Sequence, residues 1–212
     1  MTPISCRTFR AFRTPVALLM MVIVLSGCYL PLRFDTEIEI SREGYYSFIF
    51  DGYIVKVPFY DALRKGGMSP TEEGEQIALY KRDLENDPAM SNVAYLRQGI
   101  YQVHWEREGD LIRDKFVTFI RRNENMLSIR YVKEDYTIRL AGKGLATNQK
   151  QQVIDMGLDT VGEIRIITNG KVISHNAGSE HPWPDKGPGY TMYTWPVPTI
   201  FAPSPQFVMS LR

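Results

Sequence analysis

"LRFDTEIEISREGYYSFIF", residues 32–50, alternates along its first half: Phe34, Thr36, Ile38 and Ile40 share one face, and Asp35, Glu37 and Glu39 share the other. That period of two is the pattern of a strand with one face in a core and the other in water. Glu43-Gly44 supplies a turn, and Tyr45 to Phe50 returns alongside. Asp51-Gly52 then reads as a two-residue hairpin loop ahead of "YIVKV" (53–57). The chain opens as an antiparallel meander.

Period two gives way to helical spacing in "GGMSPTEEGEQIALYKRDLENDP" (66–88). Ser69 is placed to cap, Pro70 occupies the first helical position, and Glu72 lies three residues after the cap, which makes a capping box. Ile77, Tyr80 and Leu84 recur on one face and Pro88 ends the run, so one long helix is predicted. Alternation resumes at Tyr101, Val103 and Trp105, at Leu127, Ile129 and Tyr131, and at Tyr136, Ile138 and Leu140, three strands expected in one antiparallel sheet. "KFVTFIR" (115–121) is apolar on both faces, as a central strand would be. A short helix is expected over Asn148 to Met156 behind Thr147, turning Val153 and Ile154 inward and closing at Gly157. In "EIRIITNGKVISHN" (163–176) the Asn169-Gly170 pair is a strong hairpin signal.

Seven of the thirteen prolines fall after residue 181, interleaved with Trp183, Tyr190, Tyr193, Trp195, Phe201 and Phe207. So many aromatics argue for an ordered covering on the sheet, with "YTMYTW" (190–195) as an edge strand. The expected class is α+β: an antiparallel sheet of about six to eight strands, one long and one short helix, and an ordered Pro-rich C-terminal segment.

The N-terminal region carries an address. Arg7, Arg10 and Arg13, with no acid nearby, precede ten consecutive apolar residues from Val16 to Leu25. A membrane-crossing helix needs roughly 20 apolar residues, so the run fits a secretory signal better than a permanent span or a signal anchor with an unrelated cysteine. It ends on Leu25-Ser26-Gly27-Cys28, which resembles a bacterial lipobox. The resemblance implies cleavage before Cys28 and acylation of its sulfur, which would tether the protein to a membrane. Residues 1–27 are then a cleaved signal peptide, 28–33 an anchored linker and 34–212 a single domain. Tyr29, in place of the aspartate that retains Gram-negative lipoproteins in the inner membrane, points to an outer-membrane site facing the periplasm.

Cys6 leaves with the signal and Cys28 is consumed by lipid, so no disulfide is available to the mature chain. Loss of the three arginines leaves 22 basic against 24 acidic residues, a formal −2, which removes nucleic acid from the expected partners. His104, His175 and His181 form no metal-binding spacing; His175, His181 and Asp185 are near enough in sequence for a surface metal site to be conceivable, but solvated loop histidines are the simpler reading. There is no nucleophile elbow or phosphate loop. Asp35, Glu37 and Glu39 read as a solvated strand face rather than as a catalytic pair. No catalytic residue, cofactor or metal is expected. The aromatic surplus either fills the core or lines a site for a hydrophobic ligand, with Tyr101, Val103, Trp105, Ile129, Tyr131, Tyr193 and Trp195 as the candidates.

With its lipobox, its "EIEISREGYYSFIF" strand-turn-strand, "IRIITNGKVISHNAG" (164–178) and the late "YTMYTW", the chain resembles the LppM-like family of bacterial lipoproteins. The resemblance implies an α+β sheet-and-helix domain, open to a hydrophobic ligand and with no established catalysis. Relatives often add a C-terminal transmembrane helix, whereas "QFVMSLR" (206–212) closes this chain. The expected roles are a membrane-anchored envelope lipoprotein binding a lipid-like ligand or, alternatively, a module that docks an envelope protein through its Pro/aromatic C-terminal region.

Overall fold

Strand β1 (Tyr29–Ile40) pairs antiparallel with β2 (Tyr45–Lys56) in the computed structural model, which describes residues 29–120 and 126–212. The predicted alternation holds: Thr36, Ile38 and Ile40 are buried while Asp35, Glu37 and Glu39 point outward. Two local expectations are corrected. Tyr29 and Leu30 are 4% and 8% exposed, so the segment expected to be a linker is, from Tyr29 on, part of the strand. Pro31 is accommodated because the pairing register shifts between Pro31 and Phe34, where its missing N–H costs no ladder bond. Asp51-Gly52 makes no turn, and β2 runs straight through it. Gly52 serves close approach instead, since a Cβ there would lie 2.4 Å from the Arg33 carbonyl oxygen.

After β2 come helix α1 (Val57–Arg64) and helix α2 (Pro70–Glu85), the predicted long helix. Ser69 Oγ accepts from the Glu72 N–H and the Glu72 carboxylate accepts from the Ser69 N–H at 2.8 Å, the expected capping box. β3 (Met90–Arg97) and β4 (Ile100–Asp110) follow, joined at Gln98-Gly99, where both residues have positive φ, as a two-residue hairpin turn requires. The chain then leaves this sheet. A short helix α3 (Leu111–Asp114), β5 (Phe116–Phe119), β6 (Leu127–Val132), β7 (Thr137–Gly142) and α4 (Thr147–Asp155) precede its return in β8 (Val161–Thr168). Ala146 rather than Thr147 caps α4, its N–H bonded to Gln149 Oε1 at 3.0 Å. β9 (Lys171–His175), β10 (Ser179–Pro182), β11 (Thr191–Val197) and β12 (Gln206–Ser210) complete the chain.

The class is α+β as expected, but the single antiparallel sheet is replaced by two sheets of seven and five strands. Their orders are β10-β11-β8-β1-β2-β4-β3 and β5-β6-β7-β12-β9. The first sheet is mixed: β8 lies parallel to β1, from Arg33 opposite Val161 to Ile40 opposite Thr168. Alternating burial does not encode strand direction, and a chain that leaves after β4 to build other elements is free to re-enter alongside β1. β4 and the β6–β7 pair therefore belong to different sheets. Asn169-Gly170 forms no hairpin; it carries the chain from one sheet to the other, with Asn169 Oδ1 accepting from the Arg42 N–H and the Met209 methyl packed against Gly170. β5 is an edge strand although Val117, Thr118 and Phe119 are all buried, and β11 is covered by β10 rather than being the edge itself.

The two sheets pack face to face, joined by rings: Phe119 stacks on Phe50 at 4.0 Å and meets Trp105 edge-on, while Phe207 lies edge-on to Tyr193 and Trp195. α2 covers the β3–β4 end, buries Leu84 and receives a hydrogen bond from Tyr101 Oη at the Ile77 carbonyl. Within this core the Thr36 hydroxyl is fully buried and has no hydrogen-bond partner among the described residues. Thr36→Val keeps the shape and removes that desolvation cost, so it is expected to raise stability by about 1 kcal/mol, read as a higher urea midpoint at unchanged m-value.

Candidate functional site: an apolar cavity between the sheets

The seven residues singled out in the sequence are core residues. Trp105 donates its indole N–H to Asp87 Oδ2 at 3.1 Å, and Trp195 donates to Asn176 Oδ1 at 2.7 Å. Tyr101, Val103, Ile129, Tyr131 and Tyr193 are buried in the same cluster. Burial raises the pKa values of the Tyr101 and Tyr193 hydroxyls. None of the seven lines the apolar cavity found among the described residues between the two sheets.

That cavity, of about 180 Å³, opens between the two sheets at the end where β1 begins. Its back wall is an aromatic ladder in which Phe34 stacks on Phe50 at 5.7 Å and Phe50 on Phe119 at 4.0 Å. Phe34 can lie inward because its neighbours in register on β2 and β8 are Gly52 and Gly162; a Cβ on Gly162 would be 2.6 Å from the Phe34 ring. Ile164 and Val197 from the seven-stranded sheet, Leu127 from the five-stranded one and Val153 from α4 close the sides. Leu145, Ala202 and Pro203 stand near the opening, and Lys143 and Lys150 are the charged residues among those that line it.

The loop after β11 is held over the cavity by Asp159. Its Oδ1 accepts from the Thr160 N–H at 2.7 Å, the Ile200 N–H at 2.8 Å and the Thr199 hydroxyl at 3.2 Å. Thr160 in turn donates its hydroxyl to the Pro31 carbonyl at 2.8 Å, which ties this corner to β1. Since hydrogen bonds to a charged acceptor contribute about 1.5–3 kcal/mol, Asp159→Ala is expected to lower stability by about 2 kcal/mol. Asp159→Asn, which keeps an oxygen acceptor, should lose less in the same denaturation curve.

The outer face of the seven-stranded sheet is a charged, solvated surface. Arg165 bridges Asp35 at 2.5 Å, Glu163 at 2.8 Å and Glu37 at 3.5 Å, and Lys186 reaches Glu39 at 2.8 Å. The hydrogen bond to Asp51 raises the His104 pKa on this face. His175 pairs with Glu180 at 3.1 Å and packs edge-on to Tyr193, while His181 lies against Trp183. Among the described residues no three His, Cys, Asp or Glu side chains group as a metal would need. No described helix is long and apolar enough to cross a membrane. Cys28 and the signal segment lie outside the described residues.

The cavity residues escaped the sequence reading because the glycines that make room for Phe34 resemble turn residues. Gly162, the second residue of β8 and followed at once by the alternating apolar residues Ile164 and Ile166, was the available signal.

No family model matches the chain, and no curated protein matches it. Among solved structures it is similar to the NMR structure of the folded domain of LppM from Mycobacterium tuberculosis. The TM-score is 0.41 and the identity 11%, over 90% of this chain and 94% of that one.

Proposed function

We propose that the protein is a lipid-anchored envelope protein, held through acylated Cys28 on the periplasmic side of the outer membrane, whose α+β domain takes a hydrophobic chain into the cavity without chemistry. The observation that carries this reading is the cavity. Its wall is apolar, its aromatic back is fixed by strand register, and its position is beside the first residue after Cys28. A space of about 180 Å³ is close to the ~150 Å³ apolar cavity that admits benzene and below the ~300 Å³ of the smallest drug-sized sites, so its occupant is the end of an acyl chain rather than a whole lipid. Asp35, Glu37 and Glu39, the strand-face acids noted in the sequence, are engaged in ion pairs on the outer face of the seven-stranded sheet.

Mass spectrometry of the mature protein purified from membranes tests both halves. The reading predicts a polypeptide that begins at an acylated Cys28, together with an extractable lipid or fatty acid near one equivalent. A free Cys28 thiol would remove the anchor, and protein that carries no apolar ligand would remove the cavity's role.

The alternative docking role finds less support. Its simplest test, deletion of residues 182–205, would remove β11, whose Met192, Tyr193, Thr194 and Trp195 are buried between β8 and β10.

A further inference from the structure

The lipid anchor and the cavity occupy the same end of the domain, and the rim there has the composition of a surface that rests on lipid. Tyr29 and Leu30 are buried, so a single peptide unit of about 3.8 Å separates the Cys28 Cα from a fixed position in the sheet. A tether of that length gives the domain no room to stand away from the bilayer. Tyr29, Leu30 and Pro31 themselves form part of the cavity wall. At the rim, Phe201 is 43% exposed beside Ala202 and Pro203, and the Lys150 ammonium lies 5.9 Å from the Phe201 ring. Lys143 is exposed at the opening, and no acid is among the residues lining the cavity. The acids Asp35, Glu37, Glu39, Asp51, Glu106 and Glu108 lie on the outer face of the seven-stranded sheet, where Arg165 pairs with Asp35 and Glu37 and Lys186 with Glu39. An aromatic ring beside a long cationic side chain is suited to the headgroup boundary, and a mouth whose lining carries two lysines and no acid suits an anionic surface.

We propose that the domain rests on the bilayer with its cavity mouth downward, Phe201 inserted at the interface and Lys143 and Lys150 over anionic headgroups, so that an acyl chain passes from the membrane into the cavity without crossing water. The proposal rests on the Cys28 anchor and adds to it an orientation, an entry route and the residues that make contact.

The test uses the mature acylated protein in vesicles of phosphatidylcholine, with or without phosphatidylglycerol. A solvent-sensitive dye is attached at Phe201→Cys and, separately, at Glu106→Cys on the acidic face. Quenching by headgroup-labelled nitroxide lipid should be several-fold stronger at position 201 than at 106, and stronger with phosphatidylglycerol. Lys143→Glu/Lys150→Glu in the Phe201→Cys background should abolish the phosphatidylglycerol-dependent part. Equal quenching at the two positions in protein whose mass confirms acylated Cys28 would overturn the orientation and leave the anchor standing. A mass showing a bare Cys28 would overturn the anchor and the orientation with it.

Discussion

Trp105→Ala is expected to destabilise the protein by about 3–5 kcal/mol, the range for deleting a fully buried tryptophan. Trp105 is 1% exposed, meets Phe48 and Phe119 edge-on, and satisfies Asp87 with its indole N–H. Truncation removes the ring packing that joins β4 to both sheets and leaves a carboxylate short of a donor. Since small domains hold about 5–15 kcal/mol in total, the loss should be visible in a urea titration as a large fall in midpoint. Trp105→Phe keeps most of the ring volume and should cost less. The result also separates core from site, because a ligand-lining residue would lose ligand before it lost the fold.

The complementary substitution is Val197→Trp. Val197 is half-buried on β11 and faces the cavity, where a larger side chain has space to enter. The variant is expected to fold with stability near that of the parent and to retain at least tenfold less lipid on purification, equivalent to about 1.4 kcal/mol of lost affinity. Extraction and mass spectrometry of the two proteins side by side reads the difference. Equal lipid content in a folded variant would mean that the hydrophobic ligand sits elsewhere.

Single strands and the long helix were legible in the sequence because burial and capping leave local marks. β1 alternates as Phe34, Thr36, Ile38 and Ile40 do, and Ser69 and Glu72 write the start of α2 three residues apart. What pairs with what was much less legible. The β1–β8 pairing joins residues more than a hundred positions apart, and neither its parallel direction nor the division into two sheets has a local signature. Turn chemistry misled twice: Gly52 is a glycine for want of space against the backbone of Arg33 and Phe34, and Asn169-Gly170 links two different sheets rather than two paired strands. Gln98-Gly99, which does turn a hairpin, is a weaker signal than Asn169-Gly170, which does not.

The cavity shows the same division. Aromatic composition announced large apolar side chains but not which of them would face a void. The choice between core and cavity was made by position along the sheets: Tyr101 and Trp105 face α2 and the packed ring cluster, while Phe34 and Phe50 face the gap that α4 and the loop after β11 border.

The most direct test is a crystal structure of the mature protein grown with a bromine-tipped fatty acid. An anomalous bromine peak is expected inside the cavity, against the Phe34–Phe50–Phe119 ladder, with the carboxylate end toward Lys143 and Lys150. A cavity closed by collapsed side chains, or one that remains free of bromine at saturating fatty acid, would contradict that expectation.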